Sequence, residues 1–441
     1  MKKALLSVTI GLIAIAALSA SGQQSKGEGV YLLNFKPEID SQWKDAAAQF
    51  TAETGIPLKV VTAAGGTYEQ TLRSEITKSE PPTLFNIRGP IGYQIWQNYT
   101  ADLKETSLYG WLSDKSMAIT GADGGVYGIP FTVETYGIIY NDAIFRRYFA
   151  LPNRAVTTIS SAADIKNFAT LKAVVEDMTV HKAQLGIDGV FASTSFAPGE
   201  DWRWYTHLAN LPIYYEYKAK RVGDLDSIDL TYGDNYRNIF DLYLNNSVSE
   251  RRMIGSKTVD DSMAEFALGK AAMVQNGTWG WGQIAGVSGN VVKPEDVKYM
   301  PIYTGIAGEE SQGLCTGTEN FICINSKAPQ ASQAAALKLL EWLFNTPKGK
   351  KIAIEQLGFV TPFSTFGANE RPDNPLEKEA FRYMNDTKLS AVSWDFTTFP
   401  SQEFKDALGA ALYDYALGTK TWAQVATIFK DQWATEKALL K

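Results

Sequence analysis

The two histidines of this sequence, His181 and His207, have no cysteine or carboxylate at metal-ligand spacing around them. A zinc site or a histidine-assisted nucleophile is not expected, and both rings read as surface or hydrogen-bonded side chains. No Gly-x-Ser-x-Gly elbow and no Walker loop occur. The run Gly280–Gly286 has one residue too many for a dinucleotide fingerprint, with bulky Trp281 where a phosphate has to approach. No metal and no cofactor is implied. Acid–base chemistry stays open, because Glu134, Glu200, Asp201, Glu319 and Asp395 all fall in loops or breaks, and two carboxyls ~5–9 Å apart equip a secreted glycoside hydrolase. What the chain has in excess is aromatic surface, with 11 Trp, 21 Tyr and 21 Phe, or 12%.

The elements that must position these groups follow from apolar periodicity. Val30–Phe35 reads as a buried strand, and Trp43, Ala46, Ala47 and Phe50 then recur at helical spacing until Gly55. A strand at 58–61, a helix carrying Tyr68, Leu72 and Ile76, and a strand at 83–87 complete a β-α-β-α-β run, the mark of a parallel-rich sheet covered by helices. Ligands of such sheets sit beyond the carboxyl ends of strands, which makes Lys36, Glu38, Asn86 and Arg88 rim candidates. Two extended runs at 127–131 and 136–140, with no turn dipeptide between them, suit a crossover between lobes better than a hairpin. Helices dominate from about 160 to 268, interrupted by a polar, aromatic-rich stretch at 193–205. A helix at about 331–345, one from Ser401 to Gly418, and one opened by the capping box Thr421–Gln424 close the chain.

Composition sets the broad class. The 441 residues are 45% hydrophobic and 20% charged, which excludes disorder and a single small domain. A net charge of −6 carries no electrostatic footprint for nucleic acid. Lys2 and Lys3, an apolar run to Leu18 and small residues to Gly22 form a signal-peptide pattern over residues 1–21, followed by a polar tether at 22–29. The segment Leu18–Ser21 is similar to a bacterial lipoprotein box, but Ser21 stands where such a box has Cys, so lipidation there is not expected. The mature chain is expected outside the cytoplasm, at the outer face of the membrane or in the periplasm. In that setting a disulfide between Cys315 and Cys323 is the favoured reading, with two buried thiols as the alternative. On a straight strand their Cα atoms lie about 26 Å apart, so pairing demands a bend near Gly317 or Asn320.

Three segments carry a resemblance. Phe266-Ala-Leu-Gly269-Lys270-Ala-Ala272-Met273 followed by Asn276-Gly277-Thr-Trp279, the stretch Tyr127-Gly-Ile-Pro130 through Glu134 to Asn141, and Thr54-Gly55-Ile56 through Val61 resemble extracellular solute-binding protein family 1, the maltose-binding-like carbohydrate receptors of ABC importers. The resemblance implies an α/β, two-lobed periplasmic-binding-protein-like fold of type II, with the ligand in a cleft between lobes and hinge closure on binding. It further implies delivery of a carbohydrate to ABC permease subunits with a cytoplasmic ATPase, by a monomer without enzymatic turnover. The expected division is 30–133 with 314–346 as the N-terminal lobe and 134–313 with 347–441 as the C-terminal lobe.

A pyranose offers apolar C–H faces and a hydroxyl rim, so aromatic faces and charged or amide groups suit it. Trp279, between Gly277 and Gly280, is the expected stacking platform, and Glu134, whose position faces the sugar in the family, is the expected hydroxyl acceptor. Trp202 is a second platform or a core residue. Arg203 offers a planar fork to vicinal hydroxyls or forms a surface ion pair. Glu319 and Trp394 join them by the placement of their segments, and Trp281 reads as core packing.

Overall fold

The structure, a computed structural model, describes residues 29–63 and 65–441. The expected signal peptide and most of the tether lie outside the described residues.

Strict alternation in the first strand organises half of the molecule. In β1 (Val30–Asn34), Val30 and Leu32 enter one apolar cluster while Tyr31 and Leu33 enter another on the opposite face. A strand buried on both faces needs a layer on each side. The helix Asp40–Thr54 supplies one, burying Trp43, Ala46, Ala47 and Phe50 and ending at left-handed Gly55 (φ 72°). Strand β2 (Leu58–Thr62) pairs with β1 in parallel, as does β3 (Leu84–Ile87). With β4 (Ile119–Thr120), β5 (Val126–Pro130) and a late strand at Phe321–Ile324, these form a six-stranded sheet.

The second sheet is built around β6 (Glu134–Asn141), every residue of which is buried. Ile138 faces one cluster and Ile139 the other. On one edge β6 meets β8 (Ala271–Gly277), which pairs in turn with β7 (Gly189–Phe191). Its other edge is shared by β9 (Val297–Met300) and β10 (Gln312–Gly317). The late strand of the first sheet is then β11 (Phe321–Ile324), antiparallel to β3 and β5, and β12 (Ser390–Val392) closes the second sheet beside β10.

Two α/β lobes follow, joined where β5 runs into β6, where β10 runs into β11, and once more between Phe363 and Pro375. The crossing strands are tied together: Phe131 N–H donates to Asn320 O at 3.1 Å and Val133 N–H to Val360 O at 2.8 Å. That second bond marks a departure from the expected division. Ile352, Leu357, Phe359 and Phe363 pack in the first lobe's core, so the chain stays there past 346 and returns only before the helix Pro375–Met384, whose Leu376 enters the second lobe. Likewise β10 belongs to the second sheet, so residues 314–317 leave the first lobe.

The two cysteines stand on opposite sides of that junction. Cys315 lies in β10 and Cys323 in β11, both buried and free, and the Cys323 thiol donates to Tyr127 O at 3.0 Å. The expected disulfide is absent because the segment between them crosses extended from one sheet to the other instead of bending back. Burial pushes the Cys315 thiol up to about 12.

Candidate functional site

A cavity of about 500 Å³ lies between the lobes. Its first-lobe wall comes from the carboxyl end of β1 and the turn after β3, its second-lobe wall from the turns after β8 and before the helix Asn210–Lys220. The lobes touch beside it, since a Cβ on Gly66 falls 2.7 Å from the Cα of Gly199, and one on Gly89 falls 2.7 Å from the Cβ of Thr397.

The first wall is charged. Lys36 follows β1, and its ammonium donates to Glu134 at 2.7 Å and to Glu38 at 3.2 Å. Burial pulls this lysine down, but Glu134 and Glu38 more than offset it and hold the group above its ordinary value. Glu134, the first residue of β6, accepts from Asn320 at 2.7 Å through its other oxygen. Its carboxylate thereby clips the end of β1 to the β5–β6 and β10–β11 crossovers. Beside it Arg88, in the turn after β3, stands 3.6 Å from Glu319, and its guanidinium lies 5.6 Å from the Phe35 ring centroid.

The second wall is aromatic. Trp279 sits on a tight turn directly after β8, and its indole folds back over Gly277, where an added Cβ lies 2.0 Å from the ring. Only glycine fits beneath it. Trp394 repeats the device, with Gly317 at the end of β10 under the indole and a Cβ there 2.7 Å from Trp394 Cγ. Trp202 stands 6.3 Å from Trp279 at 50°, and Trp394 stands 6.3 Å from it at 89°. The half-buried Trp202 and Trp279 retain exposed surface, whereas Trp394 is buried against Tyr136 and Phe396. Behind Trp279, the buried Glu377 bonds Thr278, and burial, reinforced by the Glu134 charge, raises its carboxyl to about 8.

Eight of the ten residues expected at a binding site line this cavity: Lys36, Glu38, Arg88 and Glu134 on one side, Trp202, Trp279 and Trp394 on the other, and Glu319 at the junction. Two do not. Asn86 is sealed inside β3, between β1 and β11, because the strand continues past it before the turn. Arg203 is fully buried within the second lobe, where a π-helical turn aims it at Gln275 O (2.9 Å), Ser195 Oγ (2.8 Å) and Ser262 Oγ (3.0 Å). Burial draws its guanidinium down to about 10.

The lining residues not anticipated include Phe35, Thr206, Asp260 and His207. The sequence marks His207 only as a surface or hydrogen-bonded ring, and no local signal separates it from that role. Phe35 was legible as the residue preceding Lys36 at the strand end.

Among the described residues no group of His, Cys, Asp or Glu is placed to hold a metal ion, and no helix is long and apolar enough to cross a membrane. Burial raises the carboxyls of Asp201 and Asp395 (each to about 6), Glu377 and Asp406, and none of the four lines the cavity.

Comparison with known proteins agrees with this architecture. Several solved structures superpose over nearly the whole chain: a chitin oligosaccharide binding protein (18% identity, 93% of this chain and 100% of that one, TM-score 0.71); a sugar transporter protein of Bacillus licheniformis in complex with stachyose (18%, 92% and 100%, 0.68); and the GacH receptor of Streptomyces glaucescens, described unliganded and with acarbose (16%, 93% and 98%, 0.67). At these identities the likeness is one of fold. No match was found among curated proteins. The family model described as bacterial extracellular solute-binding protein matches residues 45–379, three quarters of the sequence, and the chain belongs to that family.

Proposed function

We propose that this protein is the extracytoplasmic receptor of an ABC importer, which binds a carbohydrate, an oligosaccharide, in the interlobe cleft and hands it to the permease subunits that a cytoplasmic ATPase drives. The observation that carries this reading is the pairing of half-buried Trp279 and Trp202 on one wall with internally compensated charges on the other. Indole faces take the apolar side of a pyranose. Lys36, Glu38, Glu134, Arg88 and Glu319 then bond its hydroxyls with lone pairs and protons left over from their mutual contacts. Because each of these charges already faces an opposite one, an uncharged ligand leaves none of them stranded. The relatives described with chitin oligosaccharide, stachyose and acarbose support the same ligand class.

Closure brings the two walls onto the ligand, and opening toward the permease releases it. Glycoside hydrolysis fits less well, because a general acid needs a carboxyl that holds its proton near neutrality, and those raised toward neutrality lie outside the cavity. A thermal-shift screen with mono- to tetrasaccharides tests the proposal: a ligand at 100 times its Kd adds ~2.7 kcal/mol of stability. Absence of any shift across the panel rejects it, and new reducing ends in the incubated sugars favour the hydrolase.

A further inference from the structure

His207 lines the cavity without a partner. It is 3% exposed, its ring lies parallel to Tyr136 at 4.3 Å, and Trp202, Trp279, Trp394 and Phe396 surround it at 5.0–6.0 Å. The Tyr136 hydroxyl is spent on the backbone carbonyl of His207 at 2.9 Å, which holds the turn in place. None of these neighbours bonds the imidazole, and its Nδ1 is buried with no hydrogen-bond partner. A ring needed only for packing is better served by phenylalanine, which stacks equally and leaves no polar atom unmatched. With Nδ1 sealed, Nε2 is the nitrogen left to meet whatever fills the cavity.

We propose that His207 is a specificity-determining residue of the cleft, bonding one sugar hydroxyl through Nε2, so that the site distinguishes a sugar carrying that hydroxyl from the analogue lacking it. This rests on the carbohydrate reading. Burial is the main influence on the ring, and Arg203, Arg88, Lys36 and Lys405 add positive potential, so the imidazole is held well below its ordinary range and stays neutral. Of the acidic groups on the facing wall, Glu134 is engaged by Lys36 and Glu319 by Arg88. A neutral ring carrying its proton on Nε2 donates to a hydroxyl oxygen and leaves only a lone pair unmatched at Nδ1.

The test uses the sugar that gives wild-type protein the largest thermal shift. By calorimetric titration His207→Phe is expected to weaken that sugar about tenfold, with His207→Gln restoring part of the loss. Monodeoxy analogues complete the cycle, since the one lacking the recognised hydroxyl binds wild type and His207→Phe equally. Unchanged affinity in His207→Phe overturns the assignment while leaving carbohydrate binding intact. If no sugar binds wild type, the carbohydrate reading and this one fall together. Should the phenylalanine variant not fold, ¹⁵N spectra of the wild-type imidazoles decide, because the chain has only two histidines. One of them must stay neutral well below the ordinary imidazole range and shift at Nε2 on saturation with sugar. Two ordinary titrations, or no response to sugar, overturn the proposal.

Discussion

The two walls of the cleft are held in place by different means. On the first-lobe side, Lys36 is shared by Glu38 and Glu134, and Arg88 stands beside Glu319, so removing Lys36 takes the cation from two carboxylates at once. On the second-lobe side, Trp279 is held by shape, its indole lying over the strand-end Gly277, and Trp202 packs beside it. Charged groups inside a protein couple strongly to folding, whereas a half-exposed ring couples mainly to what it contacts. Under the proposed function the first wall therefore links ligand recognition to stability, and the second separates them.

The sharpest way to break this contrast is Lys36→Met. It strands Glu134 in a buried setting and is expected to cost ~3–5 kcal/mol of folding stability in the unliganded protein, read by urea denaturation. A loss below about 1 kcal/mol, typical of an exposed pair, dissolves the distinction between the walls.

Next in size is a pH effect behind the aromatic wall. Glu377 is raised to about 8, so the folded state holds its proton more tightly than the unfolded chain does. Its contribution is complete below the ordinary value of 4.5 and is lost as pH climbs through about 8. Asp201 and Asp395, raised to about 6, lose theirs earlier. Glu377→Gln is expected to flatten the fall in melting temperature between the two limits, recovering on the order of 2–4 kcal/mol at alkaline pH. Parallel profiles for variant and wild type refute this.

Trp279→Ala is expected to lose ~1.5–3 kcal/mol of sugar affinity, roughly one to two decades, while leaving unliganded stability far less affected than Lys36→Met does. Equal losses in the two measurements contradict the separation assigned to this wall. The smallest effect concerns the junction between the lobes: reductant is expected to leave the melting temperature unchanged, since Cys315 and Cys323 are free and occupy different sheets. A drop on reduction points to a disulfide after all.

Much of the framework was legible because local signals agreed with the fold. Trp43, Ala46, Ala47 and Phe50 bury as their spacing predicts, and Thr421 with Gln424 forms its capping box. Most of the site was legible for a related reason, since Lys36, Glu38 and Arg88 follow strand ends and Trp279 sits between glycines. Arg203 and Asn86 were not separable from their neighbours in this way. Arg203 adjoins Trp202 in the chain, but a π-helical turn rotates one toward the cavity and the other into the lobe.

The amino-acid order by itself thus determined the alternation of strands and helices, the glycines that seat two indoles, and the aromatic surplus behind the expectation of a stacking site. Tertiary structure decided which interior each buried group faces. Periodicity says only that a side chain points away from bulk water, and a core and a cleft satisfy that condition equally. Whether Arg203 meets serines or a ligand, whether Cys315 and Cys323 share a sheet, and whether His207 is packed or poised depend on contacts between segments far apart in the chain, which local spacing does not encode.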